Sequence, residues 1–305
     1  MAIARAAARA LGSASSSHAA HGALPLPAVA GTGDKRPSEK LDSESVLSEP
    51  RSSTVDVNGF PCRVWRKGKG PKIGFLAGFG GLPRWIPFLD RLAETREVVV
   101  PSLPGFPGAT GHTALDSHLD WILAVRHLLD AAGLRGADLV GSSAGGALAA
   151  EMAAVFPETV RRMALIAPFG LYDEKDPATD PWAQRVENLP GLMCAEPSNW
   201  TKLVEMPAGA NSIEWPIEMT RASEAAARIF WPLGDTRLAK RLPLIAAPTL
   251  LLWGEADRIM PRGYADTFAN AIKGRTRIEI VAGAGHLAEL DRPDTVAKAV
   301  LDWTA

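Results

Sequence analysis

Apolar and polar positions change rhythm along the chain. Around residues 53–66 they alternate: Ser53-Thr54-Val55-Asp56-Val57, then Pro61-Cys62-Arg63-Val64-Trp65-Arg66, with Asn58-Gly59 between. Period two predicts strands with one buried face, and Asn-Gly is a hairpin turn signal because both residues tolerate positive φ. From residue 72 short, mostly apolar runs take over, at 72–76, 97–100, 137–140, 162–167, 248–253 and 277–281. Such runs predict strands buried on both faces. Segments of helical spacing separate them. Residues 84–95 place Trp85, Phe88, Leu89 and Leu92 on one face. Residues 115–132 carry Leu119, Ile122, Val125, Leu128 and Leu129. Residues 147–156, 263–272 and a closing stretch from Arg292-Pro293 with Val296, Val300 and Trp303 continue the series. Strands alternating with helices predict an α/β fold, with a mostly parallel central sheet, right-handed crossovers and an antiparallel edge.

Two stretches break that rhythm. Residues 171–243 lack strand patterns, contain several prolines and hold Trp182, Trp200, Trp215 and Trp231. They read as a helical insertion, and an aromatic-rich insertion between core strands suits a lid over a pocket better than a plain appendage. Residues 1–50 are rich in Ala, Ser, Gly and Pro and bury little. They read as a disordered extension, with an N-terminal targeting segment as the alternative. The expected organisation is therefore an extension at 1–50, a core in two parts at 51–170 and 244–305, and a helical cap at 171–243.

Composition narrows the function. The 305 residues carry a formal net charge of −1 and 22% charged residues, so no basic field points to nucleic acid. No apolar run reaches the ~18 residues of a membrane span. The expected setting is cytoplasmic. Cys62 and Cys194 match no zinc or redox spacing and read as small apolar residues. No metal-ligand cluster or nucleotide-binding loop is evident, and no cofactor is expected.

Gly141-Ser142-Ser143-Ala144-Gly145-Gly146 stands between a predicted strand and a predicted helix. It contains G-x-S-x-G with Ser143 at the centre, the strand–turn–helix pattern that exposes a strained serine. A serine hydroxyl needs a base, and the base an orienting acid. His286 is the only histidine after Ser143 and directly follows the last predicted strand. Asp257 follows the preceding strand, 114 residues after Ser143 and 29 before His286, with Glu255 as a competitor for its role. Catalytic groups collect at strand carboxyl ends in open α/β sheets. Glu289 and Asp291 read as solvated charges, and His112, His118 and His127 as structural residues. Ala77-Gly78-Phe79-Gly80-Gly81 misses the dinucleotide spacing. After a strand and before an elbow serine, it reads as an oxyanion loop rather than a plain turn.

Together with Leu252-Trp253-Gly254-Glu255-Ala256-Asp257, Gly283-Ala284-Gly285-His286 and Pro101-Ser102-Leu103-Pro104-Gly105-Phe106, these residues make the chain from about 54 to 305 resemble a capped α/β-hydrolase. The likeness is to meta-cleavage-product hydrolases and related esterases. The resemblance implies Ser143 as nucleophile, His286 as base and Asp257 as acid. It implies the N–H groups of Phe79 and Ala144 as oxyanion donors. Where that family usually has His-Gly, this chain has Ala77-Gly78. The expected function is a serine esterase acting on a small apolar or aromatic acyl substrate, with Phe79, Phe169, Leu287 and the cap tryptophans as pocket walls. Hydrolysis of a carbon–carbon bond in a ring-fission product is the alternative, and a non-catalytic binding protein on the same scaffold is the minor one.

Overall fold

The computed structural model describes residues 49–233 and 235–305; the extension expected at 1–50 lies almost wholly outside them. In chain order the elements are β1 (Arg51–Val57), β2 (Phe60–Lys67), β3 (Lys72–Leu76), α1 (Pro87–Ala93), β4 (Glu97–Pro101), α2 (His118–Ala131), β5 (Ala137–Ser142), α3 (Ser143–Val155) and β6 (Val160–Ile166). Then follow α4 (Leu189–Met193), α5 (Pro197–Val204), α6 (Glu214–Phe230), β7 (Thr249–Gly254), α7 (Gly263–Ala271), β8 (Thr276–Val281), α8 (Ala288–Asp291) and α9 (Pro293–Thr304).

One eight-stranded sheet has the order β1-β2-β4-β3-β5-β6-β7-β8. β1 and β2 pair antiparallel through the Asn58-Gly59 turn, both residues at positive φ, and β2 pairs antiparallel with β4. All later pairs are parallel. The sequence therefore predicted both the edge and the parallel body. β1 starts at Arg51, two residues before the alternating pattern at Ser53, because Arg51 and Ser52 pair opposite Arg66 and Trp65 at an exposed edge. There, backbone pairing needs no apolar face.

Strands β3 to β7 are mostly buried, as are Phe88, Leu89 and Leu92 of α1, whereas β8, against the expectation for 277–281, lies at the sheet edge and buries only Val281 fully. Helix α2 begins three residues later than the helical pattern, at a Ser117–Asp120 capping box. Its buried face is Trp121, Ile122, Val125, Leu128 and Leu129, while Leu119 in the first turn is 58% exposed, against the sequence reading. β5 carries one charge, Asp138, fully buried. Arg161 of β6 grips it at 2.6 and 2.9 Å, and Arg96 bonds it from the other side while donating to Thr304 Oγ1 at 2.7 Å. A buried carboxylate persists only with such partners. This network ties the amino ends of the central strands to α9, at the end of the sheet opposite Ser143. Cys62 and Cys194 are free and buried, as expected of small apolar residues.

The described residues between 167 and 248 contain no strand. Helices α4, α5 and α6 and several short turns fill the span. Glu151 of α3 anchors its far end through Arg241, with Arg241 Nε 2.6 Å from Glu151 Oε2.

Candidate active site

Ser143 follows β5 directly and begins α3 with φ = 49°, the left-handed region that a non-glycine residue rarely occupies. The turn is possible because its neighbours lack side chains. A Cβ on Gly141 would stand 2.6 Å from Gly145 O and 2.7 Å from Gly146 Cα. One on Gly145 would run into the carbonyl oxygens of Leu76 and Ala77. The elbow is thus packed backbone to backbone against β3.

His286 follows β8, and Asp257 lies in the loop after β7. Asp257 Oδ2 lies 3.0 Å from His286 Nδ1, and His286 Nε2 lies 2.8 Å from Ser143 Oγ. A carboxylate can only accept, so Nδ1 carries the proton and Nε2 is free to accept from the Ser143 hydroxyl. The N–H groups of Ile259 and Met260 donate to the other Asp257 oxygen at 2.8 and 3.0 Å, which fixes the carboxylate plane. Ser143 and His286 have no solvent-exposed surface. Glu255, the rival acid, instead accepts from Gly283 N at 3.0 Å and is exposed.

The loop after β3 bends toward the elbow. A Cβ on Gly78 would stand 3.1 Å from Ser143 Cβ and 3.1 Å from Leu287 Cδ2, so Gly78 is needed for this approach. Ala144 lies in the first turn of α3, where N–H groups lack intrahelical acceptors. Neither Ala144 N–H nor Phe79 N–H donates to a backbone carbonyl among the described residues. The loop is steadied from beneath by Arg63, which donates to Leu82 O at 2.7 Å and Ser102 Oγ at 3.1 Å.

Aromatic rings crowd the same place. Phe169 stacks on the His286 ring, centroids 5.4 Å apart at 22°. Its backbone N–H donates to Ser143 O at 3.1 Å, after a turn made by Ala167 at φ = 40°. Trp182 reaches Phe79 at 5.3 Å and Phe169 at 6.5 Å, Trp200 reaches Phe79 at 6.1 Å, and Phe230 meets Phe169 edge-on at 5.5 Å. Of the three residues read from the sequence as pocket walls, Phe169 bonds Ser143 O, Leu287 directly follows His286, and Phe79 joins the ring cluster. Of the inserted tryptophans, only Trp182 and Trp200 join the ring cluster. Trp231 is 59% exposed, and Trp215 spends its indole N–H on Val204 O at 3.1 Å.

Among the described residues the other histidines pair with polar side chains away from Ser143. His112 is buried against Glu224, His118 meets Glu151 at 3.0 Å, and His127 meets Asn58 at 2.8 Å. Two acids correct the sequence reading. Glu289 and Asp291, taken there for solvated charges, are both buried. Asp291 accepts from Gly285 N at 2.8 Å, Ala195 N at 2.7 Å and Asn199 Nδ2 at 2.9 Å, so it joins the His286 loop to the inserted segment. The single turn of α8 folds both carboxylates inward. Its four residues are too short to leave a periodic pattern, which is why no sequence signal marked them. Among the described residues no group of His, Cys, Asp and Glu is arranged to hold a metal. No helix among them is long and apolar enough to cross a membrane.

Known proteins share this architecture. A component of the acetoin cleaving system of Cupriavidus necator, named a dihydrolipoyllysine-residue acetyltransferase, is 30% identical over 255 residues. The match covers 78% of this chain and 65% of that protein, so the chain spans less than two thirds of that relative's length. A 2-hydroxy-6-oxo-6-phenylhexa-2,4-dienoate hydrolase of Comamonas testosteroni is 25% identical over 283 residues, covering 82% of this chain and 93% of that protein. The crystal structure of a bacterial membrane phospholipase A, 27% identical, superposes with a TM-score of 0.64 over 86% of this chain and 87% of that one. The sequence profile of the Alpha/beta hydrolase family matches residues 75–299, which include the elbow, Asp257 and His286, and the chain belongs to that family.

Proposed function

We propose that the chain is a serine hydrolase that cleaves a carboxylic ester or similar acyl compound through an acyl-enzyme. One observation carries this reading: the hydrogen-bonded line Asp257–His286–Ser143, drawn from the ends of three parallel strands, with the serine held at positive φ. Ser143 Oγ attacks the acyl carbonyl as its proton passes to His286 Nε2, and Asp257 stabilises the imidazolium that forms. The N–H groups of Phe79 and Ala144 receive the oxyanion, each worth about 3 kcal/mol in the transition state. His286 returns the proton to the leaving alkoxide. Water, activated by the same histidine, then releases the acid.

Residues 171–243 serve as the lid in this reading, closing over the cores at 51–170 and 244–305. Phe79, Phe169, Leu287, Trp182 and Trp200 give it an apolar lining suited to an apolar or aromatic acyl group. The phospholipase likeness favours an ester. In the test, Ser143→Ala abolishes p-nitrophenyl ester turnover and labelling by a fluorophosphonate; labelling that survives the substitution overturns the assignment. The Comamonas relative supports a second reading, cleavage of a carbon–carbon bond in a ring-fission product. Turnover of such a dienoate with negligible esterase rate decides for it.

A further inference from the structure

The line from Asp257 to Ser143 leaves one buried acid unused. Glu289 sits three residues after His286 and is 4% exposed. Its carboxyl faces the hydroxyl of Ser142, the residue before the nucleophile. Both groups are sealed from water, yet neither Glu289 Oε2 nor Ser142 Oγ has a well-formed hydrogen bond. The titratable groups that face Glu289 are His286 and Asp291 from its own segment and Cys194 from the link between α4 and α5. No lysine or arginine is among them. Burial pushes the Glu289 carboxyl up to about 7. Asp291 adds to the rise, while Ser142 and His286 oppose it. Cys194 registers the same crowding, its thiol driven upward by burial and then by Asp291 and Glu289.

We infer that Glu289 is a positioning residue that acts through Ser142 and His286, and that its change of charge shapes the pH response of Ser143. The inference rests on the serine-hydrolase reading. When neutral, the carboxyl carries a proton it can donate to Ser142, which steadies the residue ahead of the elbow. When ionised, it places a second negative charge beside His286, in addition to Asp257. That charge favours the imidazolium, so the base stays protonated to higher pH. Two groups that feel each other in this way lose their protons in coupled steps that belong to the pair.

The experiment measures kcat/KM for p-nitrophenyl butyrate from about pH 5 to about pH 9, the range where such a pair titrates. It uses the full chain as wild type, Glu289→Gln and Ser142→Ala, with the rate of fluorophosphonate labelling as a second readout. The wild-type acid limb is expected to spread over two ionisations. In Glu289→Gln it narrows to one, with its midpoint about one unit lower, the size of effect expected from losing a nearby charge. Ser142→Ala removes the hydroxyl that favours the ionised carboxyl and moves the Glu289 step upward by about half a unit. Profiles that differ from wild type in height alone overturn the inference. If Glu289→Gln does not fold, Ser142→Ala decides on its own, and an unmoved profile overturns the inference. Wild-type protein that is never labelled at Ser143 overturns the hydrolase reading instead, so the two failures are distinct.

Discussion

The elbow and the inserted helices are held in different ways. At the elbow, β5, α3 and the end of β3 meet with no side chains between them, and any Cβ on Gly141 or Gly145 would strike backbone. The helices and turns between β6 and β7 are tied to the core by a few backbone bonds, Leu287 N to Met193 O and Thr179 N to Ile259 O among them, and otherwise largely by side chains. Arg84 donates to Leu203 O, Glu218 accepts from Gly108 N, and Asp291 accepts from Ala195 N. Their outer surface leaves Ile213 72% and Ile217 58% exposed. The contrast separates two tasks. A reacting oxygen has to sit within tenths of an ångström of its base, and backbone packing supplies that rigidity. In the proposed reading a lid has to let substrate past a serine with no exposed surface, and side-chain ties can open without disturbing the sheet.

The contrast breaks most visibly at its rigid end. Ser143→Ala is expected to lower ester turnover by about 10⁵–10⁶-fold, as removal of a nucleophile does elsewhere. Its melting temperature should stay near that of wild type, read by circular dichroism. Asp257→Asn comes next, with about 10⁴-fold lost from kcat, because an amide no longer fixes the histidine tautomer. A loss confined to KM would contradict that role.

Glu289 tests the seam between the two regions through stability. Its carboxyl is raised by burial from 4.5 to about 7 in the folded chain. Below pH ~4.5 both folded and unfolded chains hold the proton, and the group adds no penalty. As pH rises from there toward 7, the unfolded chain ionises first, and folding loses stability until the native carboxyl ionises too. Denaturant titrations should therefore show Glu289→Gln gaining on wild type across that window, by on the order of 3 kcal/mol above pH 7. A gap that does not change with pH would assign the residue no such burden.

The smallest effect belongs to the inserted segment. Trp182→Ala removes a ring packed 5.3 Å from Phe79 and is expected to raise KM about tenfold with kcat little changed. An equal fall in kcat would mean that the aromatic wall also holds the elbow.

Legibility in the sequence followed the same division. The sheet, its antiparallel edge and the positions of Ser143, Asp257 and His286 after their strands could be read because each depends on neighbours within a few residues. Strand periodicity, an Asn-Gly turn and glycines two positions from a serine are local facts. Leu119 was misassigned because helical spacing marks a face without saying where packing ends. Glu289 and Asp291 were misjudged because a carboxylate looks solvated unless its distant partners are known. Asp291 takes its hydrogen bonds from Ala195 and Asn199, and Glu289 lies beside Ser142 and Cys194, about 90 to 150 residues away along the chain.

What the sequence determined by itself was the order of strands and helices and the three residues at their carboxyl ends, since short-range sterics and burial pattern dictate both. The tertiary structure alone decided the 2.8 Å approach of His286 to Ser143, the choice of Trp182 and Trp200 over Trp215 and Trp231 for the aromatic wall, and the burial of Glu289 behind the elbow. Each of these depends on which long-range surfaces meet, and no local propensity carries that information.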